Sequence, residues 1–360
     1  MEISKIIYIY IIIFYISIGY SQSFTHRLRV PIDFIIESGL GYDSNFLKLS
    51  NSEIDELVLN NSIIGSANSY DSIISNNLLS IKYSPHFIQN HQTKFQIKIR
   101  SLSYFTSSEK SYFSFGISIS QHIDKYEWLK LSYSFIPNYY LRNYRDRDKV
   151  VINTDINDLL IGCSFSQGSS IISYSKWIGN RSYIEGLFNY QTQYYNVFFS
   201  EFDLDIISFG ISLISKDNKK IPIKLNYKQT FAQNISLNKG LRTSFEIDRG
   251  YKQDSFYIQI QRLKVNKLVN NIGLRYSLSS RKYSSDYESD ILHFKRNHSE
   301  KKLKIWFSSK LNSNLFLQFD ITSRSRITSS AYSWVEELKK FNKKSYFLRL
   351  KYSFSSELLY

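Results

Sequence analysis

The stretch Leu28–Ile36, which reads LRVPIDFII, alternates apolar and polar side chains and decides the fold class of this chain. Its even-numbered positions are all apolar, whereas its odd-numbered positions include Arg29 and Asp33. Because successive side chains of a β-strand point to opposite faces, the stretch predicts a strand with one apolar and one polar face. Segments with the same alternation, separated by turn sequences, recur as far as Tyr360. A soluble β-sandwich and a transmembrane β-barrel would both show this period, so the rest of the sequence has to distinguish the two architectures.

The composition favours one large β unit in a membrane. The 360 residues include 29 Tyr and 26 Phe but only 4 Pro, and no linker-like run divides the chain into two domains. Aromatic girdles at the two membrane interfaces are one reason for such an excess, although any β-rich protein also favours aromatic residues. The mean hydropathy of −0.29 suits a barrel, in which only half of the strand positions face lipid. Beyond the N-terminus no apolar run is long enough to predict a membrane-spanning helix.

The N-terminal residues 1–21 are predicted to form a signal peptide. Lys5 precedes the apolar run Ile6–Ile18, and small residues at Gly19 and Ser21 place a cleavage site before Gln22. An uncleaved anchor is the alternative. The mature protein, residues 22–360, is therefore expected to be exported, with the outer membrane as its destination.

Cysteine and charge narrow the function classes. The single Cys163 excludes an intrachain disulfide and a cysteine metal cluster. The net charge is +15, yet an exported chain rarely meets nucleic acid, and the basic residues occupy alternate strand positions rather than runs. This distribution predicts a positively charged lumen or rim.

Fourteen strands can be predicted from the alternation and the turns, an even number as expected of a closed, antiparallel, up-and-down bacterial barrel. They cover residues 27–40, 75–87, 93–106, 111–122, 126–140, 156–166, 170–178, 201–214, 220–232, 253–265, 269–284, 298–310, 314–329 and 345–360. One irregularity is a change of parity near Ile206, which predicts a β-bulge or a strand end that leaves the bilayer.

The predicted connections alternate in length, as periplasmic turns and extracellular loops do in outer-membrane barrels. Short ones fall near 88–92, 123–125, 167–169, 215–219, 266–268 and 311–313, and long ones near 41–74, 141–155, 179–200, 233–252, 285–297 and 330–344. Only the connection 107–110 is short where a long one is expected.

The charged face of each strand should line the lumen, because Lys or Arg at the lipid midplane costs about 2–4 kcal/mol. The apolar face, which includes Phe95, Ile97, Leu225, Leu303, Leu317 and Leu350, should then meet lipid. The basic residues predicted to line the lumen are Arg29, Lys82, Lys94, Lys98, Arg100, Lys130, Lys224, Lys228, Arg275, Lys302, Lys304, Arg324, Arg349 and Lys351. The inward acids identified in the same way are Asp33, Glu37 and Asp320. Rings of basic residues favour anions in a pore, whereas a plugged barrel would pair these charges with loop acids.

The last strand carries a resemblance to a known class of protein. Tyr346, Leu348, Leu350, Tyr352, Phe354, Leu358 and the terminal Tyr360 share one parity. A closing strand of this kind resembles the C-terminal signal of Gram-negative outer-membrane β-barrel proteins. The resemblance implies an all-β transmembrane barrel among outer-membrane lipids. It also implies that the barrel assembly machinery reads Tyr352, Phe354, Leu358 and Tyr360. The resemblance is to porin-like proteins and does not identify a subfamily.

Enzymatic chemistry finds little support. No HExxH motif or paired-cysteine spacing appears, so neither a metal site nor a cofactor is predicted. His298 and Ser299 are adjacent and would point to opposite faces of a strand, so they cannot pair as base and nucleophile. His293 with Asp286 or Asp290 could imitate a barrel protease, but solvated loop residues are the simpler interpretation.

Four acids, Asp43, Glu53, Asp55 and Glu56, mark the first outer loop and could bind a divalent cation or simply be solvated. The sequence thus predicts a non-enzymatic barrel that passes small polar or anionic solutes. A structural barrel with binding loops is the main alternative and a barrel hydrolase the weaker one. Oligomeric state is left open.

Overall fold

The computed structural model describes residues 27–57, 62–125, 127–145, 160–179, 182–216, 221–237, 247–263, 265 and 269–357. The predicted signal peptide lies outside these residues, as do Leu358 and Tyr360 of the predicted assembly signal.

Fourteen antiparallel strands form one closed barrel, in which each strand pairs with the next and β1 pairs with β14. They are β1 Ile32–Asp43, β2 Ser72–Tyr83, β3 Thr93–Tyr104, β4 Ser107–Asp124, β5 Glu127–Arg145, β6 Leu160–Gly179, β7 Ser182–Tyr195, β8 Leu204–Lys216, β9 Pro222–Asn234, β10 Tyr251–Leu263, β11 Asn271–Tyr283, β12 Asn297–Lys310, β13 Leu315–Ser329 and β14 Phe341–Ser356. This topology confirms the predicted fold class and is the architecture of outer-membrane barrels.

The two-residue alternation of the sequence becomes an outer apolar belt. Ile97, Leu303 and Leu350 are among many large apolar side chains exposed on the outside, as lipid contact requires. At the seam between the first and last strands, Phe34 stacks on Phe354 with ring centroids 5.0 Å apart. The register at this seam runs without a shift from Ile32 opposite Ser356 to Asp43 opposite Ser345.

Tyrosine–carboxylate pairs lie at both ends of the belt. Three pairs belong to the outer end, where tyrosine hydroxyls donate to carboxylates. They are Tyr42 to Asp71 (2.7 Å), Tyr190 to Asp205 (3.0 Å) and Tyr227 to Asp254 (2.6 Å). At the periplasmic end Tyr174 donates to Glu127 (3.0 Å). Amphipathic tyrosines favour the level at which lipid gives way to water, so these pairs mark the two interfaces.

One predicted turn was wrong. Residues 167–169 lie inside β6, and β7 occupies part of the predicted outer loop 179–200. Glycine at position 168 suggested a turn, but its backbone pairs with Phe135 on one side and Thr192 on the other. Because one strand was divided and the next one missed, the predicted total of fourteen still matches.

Two smaller predictions are also corrected. Residues 107–110 begin β4, and the outer turn lies at residues 105–106. The parity change near Ile206 is not a bulge, since the register of β8 with both neighbours is regular. Instead Leu204 and Ile206 point inward and pack with Ala232 and Tyr251.

Described parts of the outer loops pack at the barrel mouth. Loop L1, residues 44–71, contains helix α1 (Asn51–Glu56) and a 3-10 turn (Ser62–Ile64). Helix α2 (Ser333–Lys339) contacts α1 and strand β13, and a 3-10 helix (Val197–Phe202) precedes β8. Within the described residues no helix is long and apolar enough to cross a bilayer.

The buried apolar residues of L1 form one cluster with side chains of the wall, here called the L1 cluster. Phe46 lies 5.3 Å from the ring of Tyr104, and Leu49 is completely buried. Ser50 and Glu53 form a reciprocal capping box that starts α1. The L1 cluster consists of Phe46, Leu47, Leu49, Ile64, Ala67 and Tyr140, with Ile54, Leu57, Ile63, Tyr70 and Tyr104 packed against them. This packing narrows the outer mouth.

Candidate functional site in the barrel lumen

The predicted basic residues lie on inward strand positions, opposite in parity to the exposed apolar belt, with one exception. Arg29 precedes β1 and lies on no strand. The others are Lys82 on β2, Lys94, Lys98 and Arg100 on β3, Lys130 on β5, Lys224 and Lys228 on β9, Arg275 on β11, Lys302 and Lys304 on β12, Arg324 on β13, and Arg349 and Lys351 on β14. Two parts of the lumen differ most in how far these cations are paired with carboxylates.

The ion-pair wall, on strands β12 to β14 and β1, holds two clusters of ion pairs. It comprises Glu37, Glu300, Lys304, Asp320, Arg324, Arg326 and Arg349. At its centre the buried Asp320 accepts from Arg349 and from Lys304, whose Nζ lies 3.3 Å from Oδ1. Arg349 Nε also lies 3.7 Å from Glu37 Oε1, across the seam that closes the barrel. The charges of Lys304 and Arg349 are therefore compensated by Asp320 and Glu37.

Glutamate completes the other end of the ion-pair wall. Arg324 Nε lies 2.6 Å and Arg326 Nη2 3.1 Å from the two carboxylate oxygens of Glu300. Arg324 Nη2 also donates to Glu300 Oε2 (2.9 Å), so Arg324 binds the carboxylate in a bidentate manner while Arg326 adds a third bond.

Glycine on β1 makes space for this network. Gly39 pairs with Arg349, and a Cβ at Gly39 would lie 2.8 Å from Arg349 Cγ. Any other residue at position 39 would displace the arginine that joins Glu37 to Asp320. The inward face of β1 is thus shaped around its neighbour on β14.

The lysine wall, Lys94, Lys98 and Arg100 on β3 with Lys130 on β5, has the opposite character. Among the described residues no carboxylate lies within 4.0 Å of any of these four cationic groups. Lys98 interacts unfavourably with the charges of Arg100 and Lys130, and also with Lys82 on the next strand. Lys82 is paired with Asp33 in the strand register, and Asp33 Oδ1 accepts a hydrogen bond from the Ser355 hydroxyl (2.7 Å). This wall carries excess positive charge into the lumen.

Between the two walls the charges are partly satisfied. Lys224 Nζ lies 3.3 Å from Glu185 Oε2, and Arg275 Nε donates to Gln259 (2.9 Å). Glu185 was not predicted to face the lumen, because β7 was predicted as loop, and the inward acid Glu300 was not predicted either. The inward cations Lys110, Arg281, Arg326 and Lys343 were likewise not predicted. The parity rule, applied to correct strand bounds, would have found them.

The acids of loop L1 are not all solvated as expected. Asp43 is buried and pairs with Lys343, and Glu53 is buried and pairs with Arg142. Burial raises the pKa of Glu53, but the Arg142 bond and charge outweigh it and hold the pKa below its ordinary value. Glu53 thus fastens L1 to the wall, whereas Asp43, the last residue of β1, joins β1 to β14. Among the described residues no group of three or more metal-ligating side chains occurs.

Loop cations crowd the same mouth. Burial, followed by the charges of Arg142 and Arg296, lowers the pKa of Lys339 to about 7, although Glu53 acts in the opposite direction. Burial and the charges of Arg324 and Lys110 likewise lower the pKa of Lys48. The outer mouth thus holds lysines that are poorly tolerated in the charged form.

The histidines do not assemble a hydrolase. His298 is buried, and its Nδ1 lies 2.9 Å from Thr328 Oγ1, whereas Ser299 points to the outer face. His293 Nδ1 lies 2.8 Å from Asp290 Oδ1, so one predicted pairing exists. Both partners are buried within the loop between β11 and β12 rather than solvated. This pair is therefore a structural contact within its loop.

Comparisons with known proteins find likeness at the level of the barrel. No protein-family profile matches the chain, and no curated protein matches it. Among solved structures, the trimer form of OmpT, an outer membrane protein of Vibrio cholerae, matches at 6% identity and a TM-score of 0.46, covering 90% of this chain and 99% of that one. OccAB4 of Acinetobacter baumannii matches at 9% and 0.41 (91% and 100% covered), and an anion-selective porin from Comamonas acidovorans at 7% and 0.40 (90% and 98%). The assignment of the fold rests on the barrel's own topology, and these likenesses do not extend to a solute.

Proposed function

We propose that this protein is a porin-like barrel of the outer membrane that passes small polar solutes and prefers anions. The observation that carries the proposal is the lysine wall, whose four cations face the lumen without a carboxylate within 4.0 Å among the described residues. Uncompensated charge on a narrow lumen raises the local concentration of anions and repels cations. The inward-folded L1 restricts the outer mouth, so the solutes should be small.

The outward Tyr352 and Phe354 of β14 support delivery to that membrane by the barrel assembly machinery. Both belong to the C-terminal strand whose pattern resembles the assembly signal, and both lie in the belt beside the seam. The outer-membrane lipids would then surround the belt, and export would depend on residues 1–21.

Planar-bilayer recording of the purified full chain under a KCl gradient tests the proposal. We expect discrete channels with an anion-selective reversal potential. A cation-selective reversal potential would contradict the preference for anions. Outer-membrane fractionation of the expressed chain tests its location separately.

One observation favours a second candidate, a closed barrel with a structural or binding role. L1 contributes fully buried apolar side chains such as Phe46 and Leu49 to the mouth, which is the packing expected of a stable plug. Complete absence of conductance in a folded barrel would favour this second function.

A further inference from the structure

A cavity of about 330 Å³ opens on the lumen side of strands β3 to β7, close to their periplasmic ends. Lys94, Trp128, Lys130 and Tyr183 contribute to its lining. Small-molecule pockets span about 300–1,000 Å³, so this cavity suits one small solute. All of its lining residues lie on regular strands, which hold binding groups more rigidly than loops do.

The strand register gives the cavity an ordered chemical pattern. Lys94 on β3 pairs with Ser120 on β4, Ser120 pairs with Lys130 on β5, and Lys130 pairs with Ser173 on β6. Ammonium and hydroxyl groups therefore alternate along one row across four strands. Neighbouring strands are about 4.8 Å apart, so the two lysines are separated by about 10 Å at the backbone with a serine between them.

The charge balance of the cavity is positive. Glu185 is the acid in its lining, and its carboxylate is already bound by Lys224 at 3.3 Å. Lys94 and Lys130 have no carboxylate within 4.0 Å among the described residues. An anionic group in the cavity would supply the missing partner.

The aromatic side of the cavity restrains one of these cations. Lys94 Nζ lies 3.9 Å from the centre of the Trp128 ring, and the His122 ring packs on the same tryptophan with a centroid distance of 4.8 Å. A cation–π contact positions the ammonium but leaves N–H groups available for an acceptor in the lumen. The site is thus partly preorganised for a carboxylate.

We propose that this cavity is a binding subsite for a hydroxylated carboxylate of the sugar-acid class. Lys94 and Lys130 would bind the carboxylate, and the hydroxyl groups of Ser120 and Ser173 would exchange hydrogen bonds with the hydroxyls of the solute. The proposal deepens the proposed function, because it rests on a lumen that admits anions.

Gluconate, glucose and acetate separate the two parts of the recognition. In bilayer recordings gluconate should interrupt the current in a concentration-dependent manner, whereas glucose lacks the charge and acetate lacks the hydroxyls. Each should act about tenfold more weakly, which corresponds to about 1.4 kcal/mol. Equal effects of gluconate and acetate would show that the site senses charge alone and would overturn the proposal.

The variant K94Q/K130Q should weaken the gluconate effect by about tenfold, as expected when charge-assisted hydrogen bonds are lost. K351Q removes an inward lysine outside the cavity and should keep the gluconate affinity. Heat-modifiable gel migration checks that both variants form the barrel. Equal loss in both variants would contradict a local site.

Isothermal titration calorimetry of the detergent-solubilised full chain with gluconate distinguishes failure of the subsite from failure of the channel. Binding that K94Q/K130Q abolishes, in a barrel without conductance, would refute the proposed transport and uphold the subsite. A conducting, anion-selective barrel that binds no gluconate would refute the subsite and uphold the transport.

Discussion

The lysine wall and the ion-pair wall have similar sequences but opposite electrostatic states. On both, basic residues alternate with apolar ones, as in Lys94–Arg100 of β3 and Lys302–Ile305 of β12. On β12 to β14, Asp320 and Glu300 pair with Lys304, Arg324, Arg326 and Arg349, although no carboxylate among the described residues lies within 4.0 Å of Lys302 or Lys351. Strands β3 and β5 carry no acid on their lumen face. The comparison teaches that an inward lysine contributes to solute selection only where its neighbours leave it unpaired.

The largest expected effect comes from breaking the ion-pair wall at its centre. D320N leaves Arg349 and Lys304 without their shared carboxylate, and losing one partner of a buried ion pair typically costs about 3–5 kcal/mol. We expect D320N to unfold at lower urea concentration in lipid vesicles. The double variant D320N/R349Q should recover part of the loss because it removes one stranded charge; no recovery would mean that Asp320 acts through packing.

Releasing L1 should expose both walls to ions. R142M leaves Glu53 buried without its guanidinium partner, so α1 should detach from the wall and the outer mouth should widen. Single-channel conductance is expected to rise while the anion preference from the lysine wall persists. E53Q/R142M, which removes both charges, should lie closer to the parent chain; unchanged conductance in R142M would mean that L1 is held by the L1 cluster alone.

The lysine wall itself should control selectivity. K94Q/K98Q/K130Q removes three uncompensated charges, each worth about 1 kcal/mol to an ion at about 4 Å in water, or about fivefold in local concentration. The reversal potential should move clearly toward cations. The single variants K98Q, on the lysine wall, and K304Q, on the ion-pair wall, each remove one lysine and are the matched comparison. K98Q should move the reversal potential further, because Arg349 still offsets the charge of Asp320 in K304Q, and an equal shift by both would abolish the distinction between the walls.

The smallest effect concerns pH. With its pKa near 7, Lys339 gains a proton as the pH falls from 8 to 6 and adds positive charge beside Arg142, Arg296, Glu53 and Tyr283. Anion preference should therefore rise modestly on acidification, by less than about twofold at physiological salt, where screening is strong. K339M should lose this component, and a K339M profile that matches the parent would refute it.

The lowered pKa of Lys339 also makes the stability of the barrel depend on pH. A lysine whose pKa falls from 10.5 to about 7 on folding opposes the packing of α2 when it is charged. This penalty is complete below pH 7 and is relieved as the pH rises from 7 toward 10.5. K339M should accordingly stabilise the barrel more at pH 6 than at pH 10.

The sequence by itself determined the closed β architecture and the face of each correctly bounded strand that meets lipid. These follow from a local rule, because apolar and polar side chains alternate between neighbouring residues of a strand, as Phe95, Lys98 and Ile99 illustrate. The rule failed at 167–169, where Gly168 suggests a turn but pairing with β5 and β7 holds an extended strand.

Only the tertiary structure decided which lumen charges are compensated and where the loops lie. Glu37 meets Arg349 because β1 closes on β14, and Arg142 meets Glu53 because L1 folds inward. Both contacts join residues far apart in the chain, so their distances depend on strand register and barrel closure rather than on any local pattern. The row Lys94–Ser120–Lys130–Ser173 arises in the same way. It depends on the register of four strands, which the sequence of each single strand does not specify.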